Sequence, residues 1–359
     1  MTGCEHGNIY AFNVYSIPGG ATFTATTMMN TSNERTGDYC LMTGDDTTEA
    51  CAGHALAEPS IETYIRCYIQ VESGADTDRP VLCITDDLGK KQVYYDISGK
   101  CYHWDGAAWA LLGTASAVIP QDDAWHLLEF RVRISQSPIY YDGIFTAKLD
   151  GVEVLDLTSA NVLGGDFGTD FTTGQVIFGN WWSTVGGNTG KTYFDDMAIN
   201  DTEGSYQNSW IGAGAIYAIK PNGIGDYEEM TPFPNSGESN YEDVDEVPPD
   251  DDTSYVQPSA SLQKDLYEMS DLCDQGVGSL AAVSAVVIWY RVKLTASGSG
   301  SFVPLYKYNG TLLHEFDAET VTSTDYVYKS VVTDEDPVTG GTWLVDYIDL
   351  AQFGLKEGS

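Results

Sequence analysis

Apolar residues recur at every second position along most of this chain, and no long stretch repeats them at helical spacing. Ile65, Cys67, Ile69 and Val71 fall on one side of an extended segment, with Tyr64, Arg66, Tyr68 and Gln70 on the other. That is the pattern of a half-buried strand. Leu128, Phe130, Val132 and Ile134 alternate in the same way with Glu129, Arg131 and Arg133. In FTAKLDGVEVLDL, Phe145, Ala147 and Leu149 lead into Asp150-Gly151 and Val152 and Val154 return. Asp-Gly favours the type I′ turn of a two-residue hairpin. QVIFGNWW and KTYFDDMAI supply further strands. Together these segments predict a two-sheet antiparallel sandwich, each sheet half polar and half buried.

The pattern then breaks. Between residues 231 and 252 the chain reads TPFPNSGESNYEDVDEVPPDDD, where prolines remove ladder donors and carboxylates repel one another. This segment predicts an extended acidic connector. Alternation resumes beyond it, with Val286, Ile288, Tyr290, Val292 and Leu294 opposite Val287, Trp289, Arg291 and Lys293. The expected organisation is a sandwich over 1–220, a connector over 221–252 and a second, smaller antiparallel sandwich over 253–359. SLQKDLYEMSDL is the one helix-like stretch, short enough for a single surface turn.

Composition narrows the function classes. With 359 residues the chain is long enough for two cores, and 37 Gly, 23 Tyr and 8 Trp suit pleated strands separated by tight turns. The 53 acidic and 17 basic residues give a formal charge of −36, which repels nucleic-acid phosphates and anionic membranes. No run of 18 apolar residues predicts a membrane span, and the first residues, MTGCEHGNIYAF, lack the pattern of a secretory signal. The expectation is synthesis in a cytosol. The 7 cysteines form no CxxC pair and no zinc spacing, which suits reduced thiols, with a Cys40–Cys51 pair left open.

Three groups of residues carry candidate chemistry. Trp104, Trp109, Trp181 and Trp182 are possible platforms for sugar rings, although tryptophans in sandwiches more often fill cores. Asp195 and Asp196 at a strand end, with Asp201 beyond, offer oxygen ligands to Ca²⁺, the one cofactor considered. Their alternative is local bonding to backbone N–H groups. The scattered histidines include His126, which is paired with no nucleophile, and the glycine-rich stretches lack phosphate-loop context.

Several blocks resemble a known family. AWHLLEFRVRI, LDGVEVLD, VIFGN and TYFDDMAINDTEG follow one another in the order usual for concanavalin A-like (laminin-G-like) sandwiches. KPNGIGDYEEMTP, VDEVPPDDDTSYV and DEDPVTGGTWLVDYIDLAQFGLK resemble blocks of tailed-phage and prophage virion structural proteins carrying such a sandwich. The resemblance implies an all-β chain: a concanavalin A-like jelly roll followed by a smaller sandwich. It also implies a virion protein facing outward on capsid or tail, made in the host cytoplasm. Its partners would be other virion proteins and copies of itself, a trimer being the expected oligomer. A carbohydrate-binding adhesion module that meets a host surface glycan is the alternative. Glycoside hydrolases of this fold use an E-x-D-x-E strand, and Glu315, Asp317 and Glu319 have that spacing, but in a predicted turn of the second domain. The expectation is therefore a protein without enzymatic activity.

Overall fold

A computed structural model of the chain describes residues 12, 14–16, 29–44, 50–136, 141–162, 171–181, 189–203, 208–234, 237–279, 281–308 and 312–358. The chain divides between Ile216 and Tyr217 into two compact units.

Among the described residues the first unit has fourteen strands. They are β1 (Val14–Ser16), β2 (Met29–Asn30), β3 (Cys40–Gly44), β4 (Ala50–Ser60), β5 (Glu62–Val71), β6 (Pro80–Thr85) and β7 (Lys91–Asp96), then β8 (Lys100–Trp104), β9 (Trp109–Thr114), β10 (Trp125–Arg133), β11 (Gly143–Leu149), β12 (Val152–Ala160), β13 (Thr173–Asn180) and β14 (Lys191–Asp201). One sheet runs β1-β4-β13-β6-β7-β8-β9 and the other β12-β11-β10-β5-β14-β3-β2, all neighbours antiparallel. The first unit is a two-sheet antiparallel β-sandwich, as the alternation predicts.

The inward faces are those read from the sequence. Cys67 opposes Leu128 and Ile65 opposes Phe130, all fully buried in one core. The other sheet adds Val93, Tyr95, Cys101, Val176 and Phe178 to that core. Tyr95, Phe130 and Phe145 meet there, with ring centroids 5.2 Å apart for Tyr95–Phe130 and 5.8 Å for Phe130–Phe145. Each such ring stabilises the sandwich by roughly 1.5–3 kcal/mol on burial. The β11–β12 turn has Asp150 at φ +50° and Gly151 at +78°, the two left-handed residues that a type I′ hairpin requires.

The outer face of the second sheet is covered by the chain itself. Residues 208–216 leave β14 and cross Tyr64, Arg66 and Glu129. Trp210 meets the Tyr64 ring edge-on at 5.7 Å, and the Gly212 amide donates to Glu129 Oε1 at 2.7 Å. Arg66 Nη1 donates to the Gly212 carbonyl at 3.4 Å.

The second unit differs from the sequence reading at its start. The expected connector over 221–252 supplies structure of its own, beginning with β15 (Pro221–Glu228) and β16 (Thr231–Phe233). After them come β17 (Tyr255–Gln257), β18 (Lys264–Met269), β19 (Ala282–Val283), β20 (Val286–Val292) and β21 (Gly300–Tyr308). β22 (Leu312–Glu315), β23 (Glu319–Val321), β24 (Val327–Thr333), β25 (Trp343–Leu344), the helix α1 (Val345–Asp349) and β26 (Ala351–Gly358) complete the unit. The main sheet runs β15-β18-β26-β21-β22, with β23 also on β21. Glycine makes β15 possible, because a Cβ at Gly225 would lie 2.3 Å from the Leu266 carbonyl oxygen. The β20–β24 ribbon packs Ile288, Tyr290 and Val292 against Phe302 and Leu355.

Two further sequence expectations change here. SLQKDLYEMSDL is no helix; its centre is β18, hydrogen-bonded on both sides. Asp265, buried within it, accepts from the Glu229 and Met230 amides at 2.7 and 2.8 Å and from Asn240 Nδ2 at 2.6 Å. Those partners lie too far along the chain for a twelve-residue pattern to reveal. The carboxylates of the acidic run, expected to repel one another in an extended connector, meet cations further along the chain. Asp251 takes Arg291 in a fork at 2.6 and 2.8 Å, and Asp252 pairs with Lys293.

Candidate functional site on the outer face of the first sheet

β7, β8 and β9 form an antiparallel meander at one edge of the first sheet. Alternation sends Val93, Tyr95 and Cys101 inward, so Tyr94, Tyr102 and Trp104 face outward. Trp104 and Trp109 flank the Asp105–Ala108 turn and are direct cross-strand partners, centroids 5.4 Å apart and edge-to-face. Asp105 Oδ1 closes the turn by accepting from the Ala107 and Ala108 amides at 2.8 and 2.7 Å. Tyr94 meets Trp109 edge-on at 4.6 Å and stacks on Tyr102 at 4.7 Å. Trp181, the residue after β13, packs on the same outward cluster with Cys51, Cys83 and Ile177. The structure therefore brings together Trp104, Trp109 and Trp181 from the sequence-predicted set; Trp182 lies outside the described residues.

Polar groups surround these rings. Gln92 and Asp96 stand two residues either side of Tyr94 on its face. Gln92 Nε2 donates to the Thr172 carbonyl at 3.0 Å, while its Oε1, Asp96 Oδ2 and Trp104 Nε1 are buried without a hydrogen-bond partner among the described residues. Burial raises the Asp96 carboxyl above its usual range, against bonds from the Lys100 amide and Ser98 Oγ that favour its charge. Lys91 lies over the tryptophans, its Nζ 4.1 Å from the Trp104 centroid and 5.9 Å from that of Trp109. A β-bulge puts it there. Ile84 pairs with Val93 but Thr85 with Lys91, so Gln92 is an extra residue, and strict alternation would have turned Lys91 inward. Lys91, Tyr94 and Tyr102 were not read as site residues. The usable signal was five-residue spacing of Trp104 and Trp109 about an Asp-Gly turn, which makes them a hairpin's closing pair.

The expected calcium ligands are otherwise engaged. Asp196 sits at φ +50° on a bulge of β14 and is fully buried. Its carboxylate pairs with the Arg35 guanidinium, accepts from the Ile216 amide, and accepts from Thr36 Oγ1 at 2.8 Å. Asp195 accepts from the Arg35, Thr36 and Asp196 amides at 2.9, 3.3 and 2.7 Å. Burial first, and then the Asp196 charge, push its carboxyl up to about 6. Arg35 also lies over the Tyr68 ring at 3.4 Å. Asp201 accepts from the Glu203 amide at 2.9 Å. A guanidinium already holds the place a cation would take, so the pair does not fit Ca²⁺, and among the described residues no group of three acids, histidines or cysteines is placed to hold a metal.

The remaining candidates disperse. Glu315 ends β22 and pairs with Lys356, while Glu319 begins β23 and lies 3.5 Å from Lys329. The E-x-D-x-E spacing thus spans two strands, with Asp317 in the turn between them. His126 bridges Asp150 at 2.7 Å and Asp122 at 3.1 Å through its two ring nitrogens. Cys40 and Cys51 are both buried, in separate clusters, and do not form a disulfide with each other.

No protein-family model and no curated protein matches the chain. Among solved structures it is similar to an endo-β-1,4-glucuronan lyase from the fungus Trichoderma reesei, at 11% identity and a TM-score of 0.38, over 54% of this chain and 92% of the lyase. It is similar to a carbohydrate-binding module of Bacillus subtilis, at 12% identity and a TM-score of 0.28, over 43% of this chain and 84% of the module. The alginate lyase AlyC3 is similar at 6% identity and a TM-score of 0.33, over 51% of this chain and 81% of the lyase. Likeness at this level concerns sandwich architecture alone. Because lyases are among these structures, the expectation of a protein without enzymatic activity is corrected: this architecture is one that glycan-active enzymes also use.

Proposed function

We propose that the first unit is a glycan-binding module whose platform is the outward face of β7, β8 and β9. The observation that carries this reading is the half-buried cross-strand pair Trp104–Trp109, backed by the buried Tyr94 ring and half-buried Tyr102. Sugar rings present C–H faces that pack on aromatic faces, and the half-buried rings of Trp104 and Trp109 offer such faces. The second sheet is a poorer candidate because residues 208–216 already cover it.

The test is a glycan array probed with the full chain and with Trp104→Ala and Trp109→Ala. The expected result is glycan binding by the wild type that falls at least about tenfold in either variant, with far-UV circular dichroism unchanged. Equal binding by all three proteins overturns the platform, and no binding to any glycan overturns the function.

The resemblance of residues 220–256 and 334–356 to phage structural proteins supports placing this module on the outside of a virus particle, attached to other virion proteins, and a trimer is the oligomer expected for that role. In that setting the platform meets a host surface glycan.

A further inference from the structure

His126 stands at the start of β10 with a carboxylate on each side of its ring. Nδ1 lies 2.7 Å from Asp150 Oδ2, in the β11–β12 turn, and Nε2 lies 3.1 Å from Asp122 Oδ1, in the loop that crosses from β9 to β10. A neutral imidazole donates through one nitrogen only, an imidazolium donates through both, and an ionised carboxylate only accepts. The protonated ring therefore satisfies both contacts, whereas the neutral ring sets a lone pair against one carboxylate. Burial works against that proton, but the bonds and charges of Asp150 and Asp122 outweigh it and hold the ring's pKa above the ordinary histidine value. Ile69, the register partner of His126 on β5, carries no charge, and Asp123 turns its carboxylate to the Ser73 amide at 3.2 Å. The two carboxylates are not held alike. Asp150 is fixed by Leu127, whose amide donates to its Oδ1 at 2.9 Å and whose carbonyl accepts from its amide at 2.8 Å. Asp122 Oδ1 has only a local bond besides the ring, from the Ala124 amide at 3.1 Å. Loss of the ring proton therefore leaves Nδ1–H on Asp150 and frees Asp122, whose side chain is 54% exposed, to turn to water.

We propose that His126 is a proton-dependent clasp: protonated, it ties the β9–β10 loop to the β11–β12 turn, and deprotonated, it releases the loop at Asp122. The clasp stabilises the folded chain fully below the unfolded histidine value of about 6.5, and that contribution is lost as pH rises through the folded one. An NMR titration of the histidine rings and backbone amides of the full chain, from about pH 5 to about pH 9, tests this, with His126 assigned by the signal missing from His126→Gln. The His126 midpoint is expected above about 6.5, and lower in Asp122→Asn and in Asp150→Asn than in the wild type. Amides of residues 120–124 should shift with that same midpoint in the wild type and no longer do so in Asp122→Asn. Thermal melts give a second readout: the wild type should lose melting temperature relative to His126→Gln as pH rises from about 6 to about 9. Should His126→Gln not fold, the ring whose midpoint moves in Asp122→Asn identifies His126, and Asp122→Asn becomes the reference in the melts. A midpoint at or below about 6.5, a midpoint unmoved by either aspartate substitution, loop amides that do not follow it, or melts that stay parallel each overturns the proposal.

Discussion

At the scale of single residues, the Asp195–Asp196 pair decides how residues 31–36 and 212–216 attach to β14. Removing the Asp196 carboxylate leaves the Ile216 amide without its acceptor, and leaves Arg35 Nη1 and Thr36 Oγ1 with only the Gly214 and Ile216 carbonyls. The Asp195 carboxyl titrates near 4 in an unfolded chain but is pushed up to about 6 in the folded one, by burial and then by Asp196. The folded chain therefore holds a proton through a range where the unfolded chain releases it. This group's contribution is present below about pH 4 and is lost as pH rises through 6, an amount on the order of 2–3 kcal/mol. Thermal melts of wild type and Asp195→Asn from pH 4 to 8 check this, and the wild type should lose stability relative to the variant as pH rises. Sequence alone showed two aspartates ending a strand, equally suited to a cation or to backbone donors. What settles their role is Arg35, 161 residues away along the chain.

At the scale of elements, strict period-2 patterning made the strands of the first unit legible, as β5, β10 and the β11–β12 hairpin demonstrate. β18 was not legible, because it is buried on both sides and its aspartate is satisfied by distant amides. The candidate site was half legible. Its tryptophans stand out by type and spacing, but the bulge that delivers Lys91 depends on β6 and leaves no mark in the local sequence. The covering segment after β14 gives an element-scale prediction. Trp210 contributes its edge contact with Tyr64 and lies 3.6 Å beneath Lys148 Nζ. Trp210→Ala should cost about 2 kcal/mol in a denaturant melt and speed hydrogen exchange at the Gly212 amide. Unchanged exchange there would mean that the segment is held without its ring.

At the scale of the whole molecule, the formal charge of −36 sets the terms. Part of it is spent internally, as Asp251 and Asp252 do on Arg291 and Lys293. The remainder opposes association of like copies and weakens as the Debye length falls to about 3 Å at 1 M salt. Sedimentation across a salt series should therefore show the proposed trimer forming or tightening as salt rises. A monomer at every salt concentration would leave attachment through other proteins as the only route to a particle. The central claim is narrower: the face built by β7, β8 and β9 meets a sugar. The most direct measurement is glycan-array binding by the wild type beside folded Trp104→Ala. The account predicts a wild-type signal that falls at least about tenfold in the variant; equal signals, or none from the wild type, would contradict it.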